Sequence, residues 1–428
     1  MKTARKFAAA ATFLLTALLI AIASFAILQK RNKTSPAAGD RASVGHLPSA
    51  ASSPSPPWWR RKDLIVLHGH TGPVNSIAFS PDASLLLSVG ADQSVRLWDL
   101  ASEKQTGFFS GHLDPTTPGF SGEEDHSVFF LQSGGRFVSL SHKMFVAGPD
   151  SLGVSGSLCL WDGLSSTPIK RISSLHSVGL CLPDGQRIAA ASTPKGHVRL
   201  IDTTSFSMTD GLTLDFGNQP RLVGKIACSP DGNTIAATYG ARVQNQYFLS
   251  YIIHCWNSHT GASLRELLTN VTCDGRAFTF GFTADSKSVV YMENARDVTI
   301  ASASIPSSKP RLLATLPEGI HAKPGAFSSD GKHFALLYTP EQSAPRAWVA
   351  ALKTPLQMHE LSFREKPSSP TCCAFANESA AFALADDKGV IHILTLDPSA
   401  PERLPGAVEG GVRQTGDQNG GKALNDNM

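Results

Sequence analysis

The most regular run of apolar and polar positions lies between Leu67 and Leu100, LHGHTGPVNSIAFSPDASLLLSVGADQSVRLWDL. Val74, Ile77 and Phe79 mark a short first strand over 74–79. Pro81-Asp82 predicts a turn, and Leu85–Val89 a second, buried strand. Gly90–Ser94 forms a further turn before a third strand, Val95–Trp98. Three short strands between tight turns read as an antiparallel meander. The turn after the first strand recurs at Pro81-Asp82, Ser133-Gly134, Pro183-Asp184-Gly185, Pro230-Asp231-Gly232, Ala284-Asp285-Ser286, Ser329-Asp330-Gly331 and Asn377-Glu378, at intervals of about 45 to 54 residues. Third-strand endings recur as Trp161-Asp162, Ile201-Asp202 and Trp256-Asn257, then as VTIASAS (298–304), AWVAALK (347–353) and VIHILTL (390–396). Seven units fit this phase.

The first unit resembles a WD repeat, opened by Gly69-His70 and closed by Trp98-Asp99. The second keeps Gly111-His112 and Trp161-Asp162 but departs between them. The resemblance covers about residues 61–398. It implies an all-β fold, a seven-bladed β-propeller of four-stranded antiparallel blades. A single blade cannot bury both of its faces, whereas a closed ring can. Arg61–Leu67, RKDLIVL, is then the outer strand that completes the last blade beside VIHILTL. The family also implies a structural tetrad of His70, Ser88, Asp92 and Trp98, in which carboxylate, imidazole, hydroxyl and indole have complementary donors and acceptors. On paper the set resembles a catalytic Ser-His-Asp group. The indole consumes the serine oxygen, so structural locking is the expected role. The longer inserts HLDPTTPGFSGEEDH (112–126), HKMFVAGPDSLGVSG (142–156) and GARVQNQYFLS (240–250) read as loops.

The chain divides into an apolar N-terminal segment (1–33), a linker (34–57), the repeats (58–398) and a Gly/Asn/Asp-rich tail (399–428). Residues 7–28, FAAAATFLLTALLIAIASFAIL, hold no charge. As one hydrophobic helix ahead of the propeller they would span about 33 Å, enough for a bilayer core of about 30 Å. A retained single-pass membrane anchor is the expectation. A cleaved secretory signal, with Ala21-Ile22-Ala23 or Ser24-Phe25-Ala26 as the site, remains open, and the protein would then be secreted. The basic flanks are nearly balanced, and the short basic N-terminus favours an extracytoplasmic propeller. The Ser/Pro/Ala-rich linker and the tail lack the apolar density to bury a core.

Charge changes the picture in one respect. The first 33 residues carry six basic side chains and no acidic one, so the net +3 of the whole chain becomes −3 for the rest. The body shows no footprint for phosphate, and no nucleic-acid partner is expected. Seven cysteines without a C-x-x-C spacing signal neither a disulfide framework nor a zinc ribbon. No H-E-x-x-H, P-loop, G-x-S-x-G or EF-hand spacing occurs, so no catalytic residue, metal or cofactor is assigned. Trp58-Trp59-Arg60-Arg61-Lys62 reads as packing beneath the propeller, with a membrane interface as the alternative.

Members of this family bind partners on the narrow face around the central channel, through two positions of each first strand. Matched to Pro73 and Asn75, these are Glu124 and His126 in the second unit, Arg276 and Phe278 in the fifth, and His321 and Lys323 in the sixth. The last four form a basic patch with an aromatic, suited to an acidic peptide or protein loop. The reading is a non-enzymatic, membrane-tethered interaction scaffold. Alternatives are a propeller enzyme of lactonase or quinone-dependent dehydrogenase type, with its site at the channel, and a sensor or assembly component of the cell envelope.

Overall fold

Leu85–Gly90, LLLSVG, is buried at all six positions, on both faces of its strand. Alternate side chains explain this, because successive residues point to opposite sides of a sheet. Leu86 enters one apolar layer, with Ala383 and Ile391, while Leu85, Leu87 and Val89 enter another, with Val128 and Trp161. A strand covered on both faces is a near-continuous apolar run, unlike the half-polar strand of a sandwich surface.

The computed structural model describes residues 65–396 apart from 112–123, 133–134, 149–150, 174, 193–196, 215–222, 243–248, 269–279, 294–296, 317–321, 324, 339–345, 353–356, 362, 364–366 and 377–380. Among the described residues every named element is a strand, and they form seven four-stranded sheets. All pairings are antiparallel. In six sheets the strands follow chain order; the first runs Val74–Phe79, Leu85–Gly90, Val95–Asp99, Lys104–Phe109. The exception is the sheet of Pro370–Phe375, Ala381–Asp386 and Val390–Thr395, whose fourth strand is Ile65–His68 from the other end of the chain. Ile65 pairs with Ile393 and Leu67 with Ile391, so the expected closing strand is in place.

Each pair of neighbouring sheets shares one apolar layer, and the series returns to its start. The fold is an all-β propeller of four-stranded antiparallel blades. Burying one leucine side chain contributes about 1.5–3 kcal/mol, and Leu67, Leu86 and Leu87 are each at most 2% exposed. Polar ties add to these layers. Numbered in chain order, blade 1 is Val74–Phe109, 2 Glu124–Ser173, 3 Leu175–Leu214, 4 Val223–Leu268, 5 Phe280–Thr315, 6 Ala322–Leu361 and 7 Pro370–Thr395 with Ile65–His68. The buried Arg265 of blade 4 donates to the carbonyls of Ser302, Ile305 and Ser308 in blade 5. Arg187 of blade 3 donates to the Ser258 carbonyl in blade 4.

Two of the inserts depart from expectation. Residues 142–156 extend strands, because Phe137–Gly148 and Ser151–Trp161 stay paired from Phe137↔Trp161 to Gly148↔Ser151. Alternation in KMFVAG and LGVSG, around a Gly-Pro-Asp-Ser turn sequence, carries the ladder outward. In blade 4, Thr234–Arg242 and Leu249–Asn257 likewise pair as far as Arg242↔Leu249.

The hydrophobic segment 7–28, the linker 34–57, the Trp58-Trp59 cluster and the tail 399–428 lie outside the described residues. Among the described residues no helix is long and apolar enough to cross a membrane.

Candidate functional site

The predicted tetrad assembles in blade 1. Ser88, on the second strand, is fully buried, and its Oγ accepts the Trp98 indole N–H at 2.8 Å. His70 Nε2 lies 2.7 Å from the same oxygen. His70 Nδ1 lies 2.9 and 3.0 Å from the two carboxylate oxygens of Asp92. Asp92 also accepts from the Thr71 backbone N–H and from the backbone and hydroxyl of Ser94. Burial disfavours its charge, but the hydrogen bonds and charge of His70, with those from Ser94 and Thr71, outweigh this and hold the carboxyl well below its ordinary value. Gly69 has a steric reason: a Cβ there would sit 2.8 Å from both the Trp98 ring and the Arg96 guanidinium. His70 and Ser88 are both buried, and neither lines the central cavity described below. The group locks the blade.

Partial versions recur where sequence alone did not show them. In blade 2 the Trp161 indole donates to Ser139 Oγ at 2.9 Å, and Ser139 stands where blade 1 has Ser88. In blade 4 His254 stacks on Trp256 with ring centroids 4.1 Å apart and meets Ser263 Oγ at 2.8 Å. In blade 7 the buried Asp386 accepts from the backbone N–H of Lys388, Val390 and Ser368, fastening its turn to the preceding loop. The closing Asp of the motif caps a turn instead. Asp99 accepts the Ser102 N–H, and Asp162 accepts those of Leu164 and Ser165. Gly111 takes a left-handed φ of 80° and its carbonyl accepts from Arg171, while its neighbour His112 lies outside the described residues.

The phase-marking turns share one device. Ser80, Ser229, Thr283 and Ser328 each donate a hydroxyl hydrogen bond to the Asp two residues on, namely Asp82, Asp231, Asp285 and Asp330. The residue after each Asp, and after Asp184, has positive φ; it is Gly185, Gly232 and Gly331 in three turns and Ala83 and Ser286 in the others.

The sheet register supports the matching of first strands. Phe79, Phe130, Cys181, Cys228, Phe282, Phe327 and Phe375 occupy equivalent places opposite Leu86, Phe137, Ile188, Ile235, Val289, Phe334 and Phe382. Blade 1 has a bulge at Asn75, between Val74↔Gly90 and Ser76↔Val89, whereas blade 2 pairs without a shift from Phe130↔Phe137 to His126↔Ser141. By register His126 therefore matches the buried Val74, not Asn75 as the sequence phase implied. Of the rim candidates, Arg276, Phe278 and His321 lie outside the described residues, and Glu124 and Lys323 are placed on Glu124–Phe130 and Ala322–Lys323 by backbone alone. His126, expected on an open rim, is 4% exposed. Its strand pairs with the extended hairpin as far as Glu124↔Lys143.

The seven first strands enclose a central cavity of about 910 Å³. Phe79, Phe129, Phe282, Phe327 and Phe375 line it, with Leu180 and small residues such as Ala227, Ala326 and Gly281. A Cβ on Gly281 would sit 2.3 Å from the Phe327 ring, so glycine lets that phenyl close against the wall. Cys181, Cys228 and Cys373 also line the cavity; burial pushes their thiols up to about 11, 12 and 12. They are protonated at neutral pH, which disfavours a nucleophilic role. The described cysteines are all free thiols. Among the described residues no group of three His, Cys, Asp or Glu side chains could hold a metal ion.

Comparison with known proteins agrees with this geometry. Residues 61–99 match the family model "WD domain, G-beta repeat". The chain is 36% identical over 74 residues to an uncharacterized WD repeat-containing protein of Synechocystis, covering 17% of this chain and 19% of the relative. It is 25% identical over 195 residues to protein hir1 of Schizosaccharomyces pombe, covering 41% of this chain and 19% of that one. It is 52% identical over 40 residues to the ribosome biogenesis protein ytm1 of the same yeast, 9% of each chain. The chain thus spans about a fifth or less of the length of the curated relatives it matches. With the first repeat matched, its tetrad assembled and the blades four-stranded and antiparallel, the chain is a β-propeller whose first repeat is similar to those of the WD-repeat family.

Proposed function

We propose that the protein is a seven-bladed, non-enzymatic interaction scaffold that holds a protein partner at a membrane. One observation carries the scaffold reading: the blade 2 hairpin outgrows its own sheet. Among the described residues the first strand of that blade pairs with Phe137–Gly148 as far as Lys143, and the outer strand Lys170–Ser173 pairs with Ser157–Leu160. Beyond these, Met144↔Val154, Phe145↔Gly153 and Val146↔Leu152 pair only with each other among the described residues. An arm whose edges are unpaired among the described residues is a template for pairing with another chain, and edges left open in a monomer usually carry charge or cover. Met144, Phe145, Val146, Leu152 and Val154 supply apolar residues instead.

The membrane link rests on the charge-free run 7–28, and the extracytoplasmic orientation on the short basic N-terminus. A second surface, the blade 5 and 6 rim with Arg276, Phe278, His321 and Lys323, suits an acidic segment of the partner. The test replaces residues 144–154 by Asn-Gly, a two-residue hairpin turn, in the full chain. Partner capture after in-cell crosslinking should fall at least tenfold with the melting temperature unchanged. Undiminished capture would overturn the role of the arm. Reversal of charge at Arg276 and Lys323 tests the rim in the same way. Protease access to a C-terminal tag in intact cells tests orientation.

A further inference from the structure

Among the described residues one cation lines the cavity on the propeller axis. Lys225 lies on the innermost strand of blade 4, Val223–Cys228, and lines the cavity. Its ammonium donates one hydrogen bond, to the Gly325 carbonyl in blade 6 at 3.2 Å. An ammonium has three N–H donors, so this contact leaves two unspent. Among the described residues no carboxylate lies within ion-pairing distance of it. The carboxylates that line the cavity, Asp82 and Asp330, belong to turns at the strand ends and are spent on Ser80, Ser84, Ser328 and Lys332. The nearby Cys373 thiol is protonated and supplies no negative charge.

We propose that the axial cavity binds a small organic carboxylate with an apolar, aromatic-sized body, its carboxylate on Lys225 and its body between the phenyl and small-residue walls. The proposal is independent of the scaffold reading. A cavity of about 910 Å³ falls within the usual range for small-molecule sites, which are mostly apolar with a few polar anchors. Phe129, Leu180, Ala227, Gly281, Ala326 and Ala374 form such a wall, and Lys225 is its one cation among the described residues. Lys225 is half-buried in the cavity wall, where desolvation without a counter-charge pulls its ammonium below its ordinary value. A bound anion supplies that counter-charge.

The test is calorimetric titration of the full chain with biphenyl-4-carboxylate, alongside its uncharged twin 4-phenylbenzyl alcohol. Saturable binding of the carboxylate, at least tenfold tighter than the alcohol, is expected. Lys225→Met, which keeps the length and removes the charge, should weaken the carboxylate at least tenfold and leave the alcohol unchanged. Ala326→Phe, which fills the wall and keeps the lysine, should abolish binding of both. No saturable binding to the wild type, equal carboxylate affinity in Lys225→Met, or unchanged binding in Ala326→Phe would each overturn the proposal. If Lys225→Met fails to fold, the Ala326→Phe and alcohol comparisons still decide it.

Discussion

The imidazole of His70 and the indole of Trp98 converge on one oxygen, Ser88 Oγ, at 2.7 and 2.8 Å. The contact joins the loop that opens the repeat to the third strand, through the second. Ser88→Ala would leave both ring nitrogens buried without that hydroxyl partner. Leaving buried polar groups unsatisfied costs about 1–3 kcal/mol each, so a loss of about 3 kcal/mol is expected. Ser139→Ala, which strips only the Trp161 indole, should cost about 1–2 kcal/mol. Denaturant titration of both variants checks the ranking.

Acid should release the same lock. The Asp92 pKa is lowered on folding from its ordinary 3.8, so its contribution is full above that value and is lost as pH falls through the lower folded value. Asp82, Asp231, Asp285 and Asp330 are shifted in the same direction. Stability should therefore be flat near neutrality and fall steeply below about pH 4. Asp92→Asn should be less stable at pH 7 and show a shallower acid slope. An acid profile identical to the wild type would contradict the assignment.

Ring closure rests on Ile65–His68. Leu67 is 2% exposed in the layer between blades 7 and 1. Leu67→Ala should cost about 2–5 kcal/mol. Hydrogen exchange should accelerate first in Val390–Thr395, whose pairing partner it loosens.

The exposed Gln93 is strained. Gln93 has φ 62°, in the left-handed region that costs a non-glycine residue about 1–2 kcal/mol. Gln93→Gly relieves this at some cost in unfolded-chain entropy, and a net gain of about 0.5–1 kcal/mol is expected by thermal melting.

The first repeat was legible because its lock fits into a short window, with Ser88 ten residues before Trp98. In blade 2 the equivalent Ser139 stands 22 residues before Trp161. The extended hairpin lies between them and hides the motif, even though the contact is unchanged. Blade phase survived the loss of motif because Ser-x-Asp turns, such as Ser229–Asp231, are local hydrogen-bonding solutions. The channel was illegible for the opposite reason. Lys225 and Gly325 are 100 residues apart, and no pattern along the chain joins them. The inserts were read as loops because their Gly, Pro and Ser content masked an alternation that pairs across the hairpin.

The scaffold account is tested most directly by a photocrosslinking residue placed at position 145 of the full chain in cells, at the middle of the arm. Position 169, where Ile169 is 50% exposed beside the same blade, serves as the control. A discrete protein adduct from position 145, absent from position 169, is the predicted result. No adduct from 145, or the same adducts from both positions, would contradict a partner held by the arm.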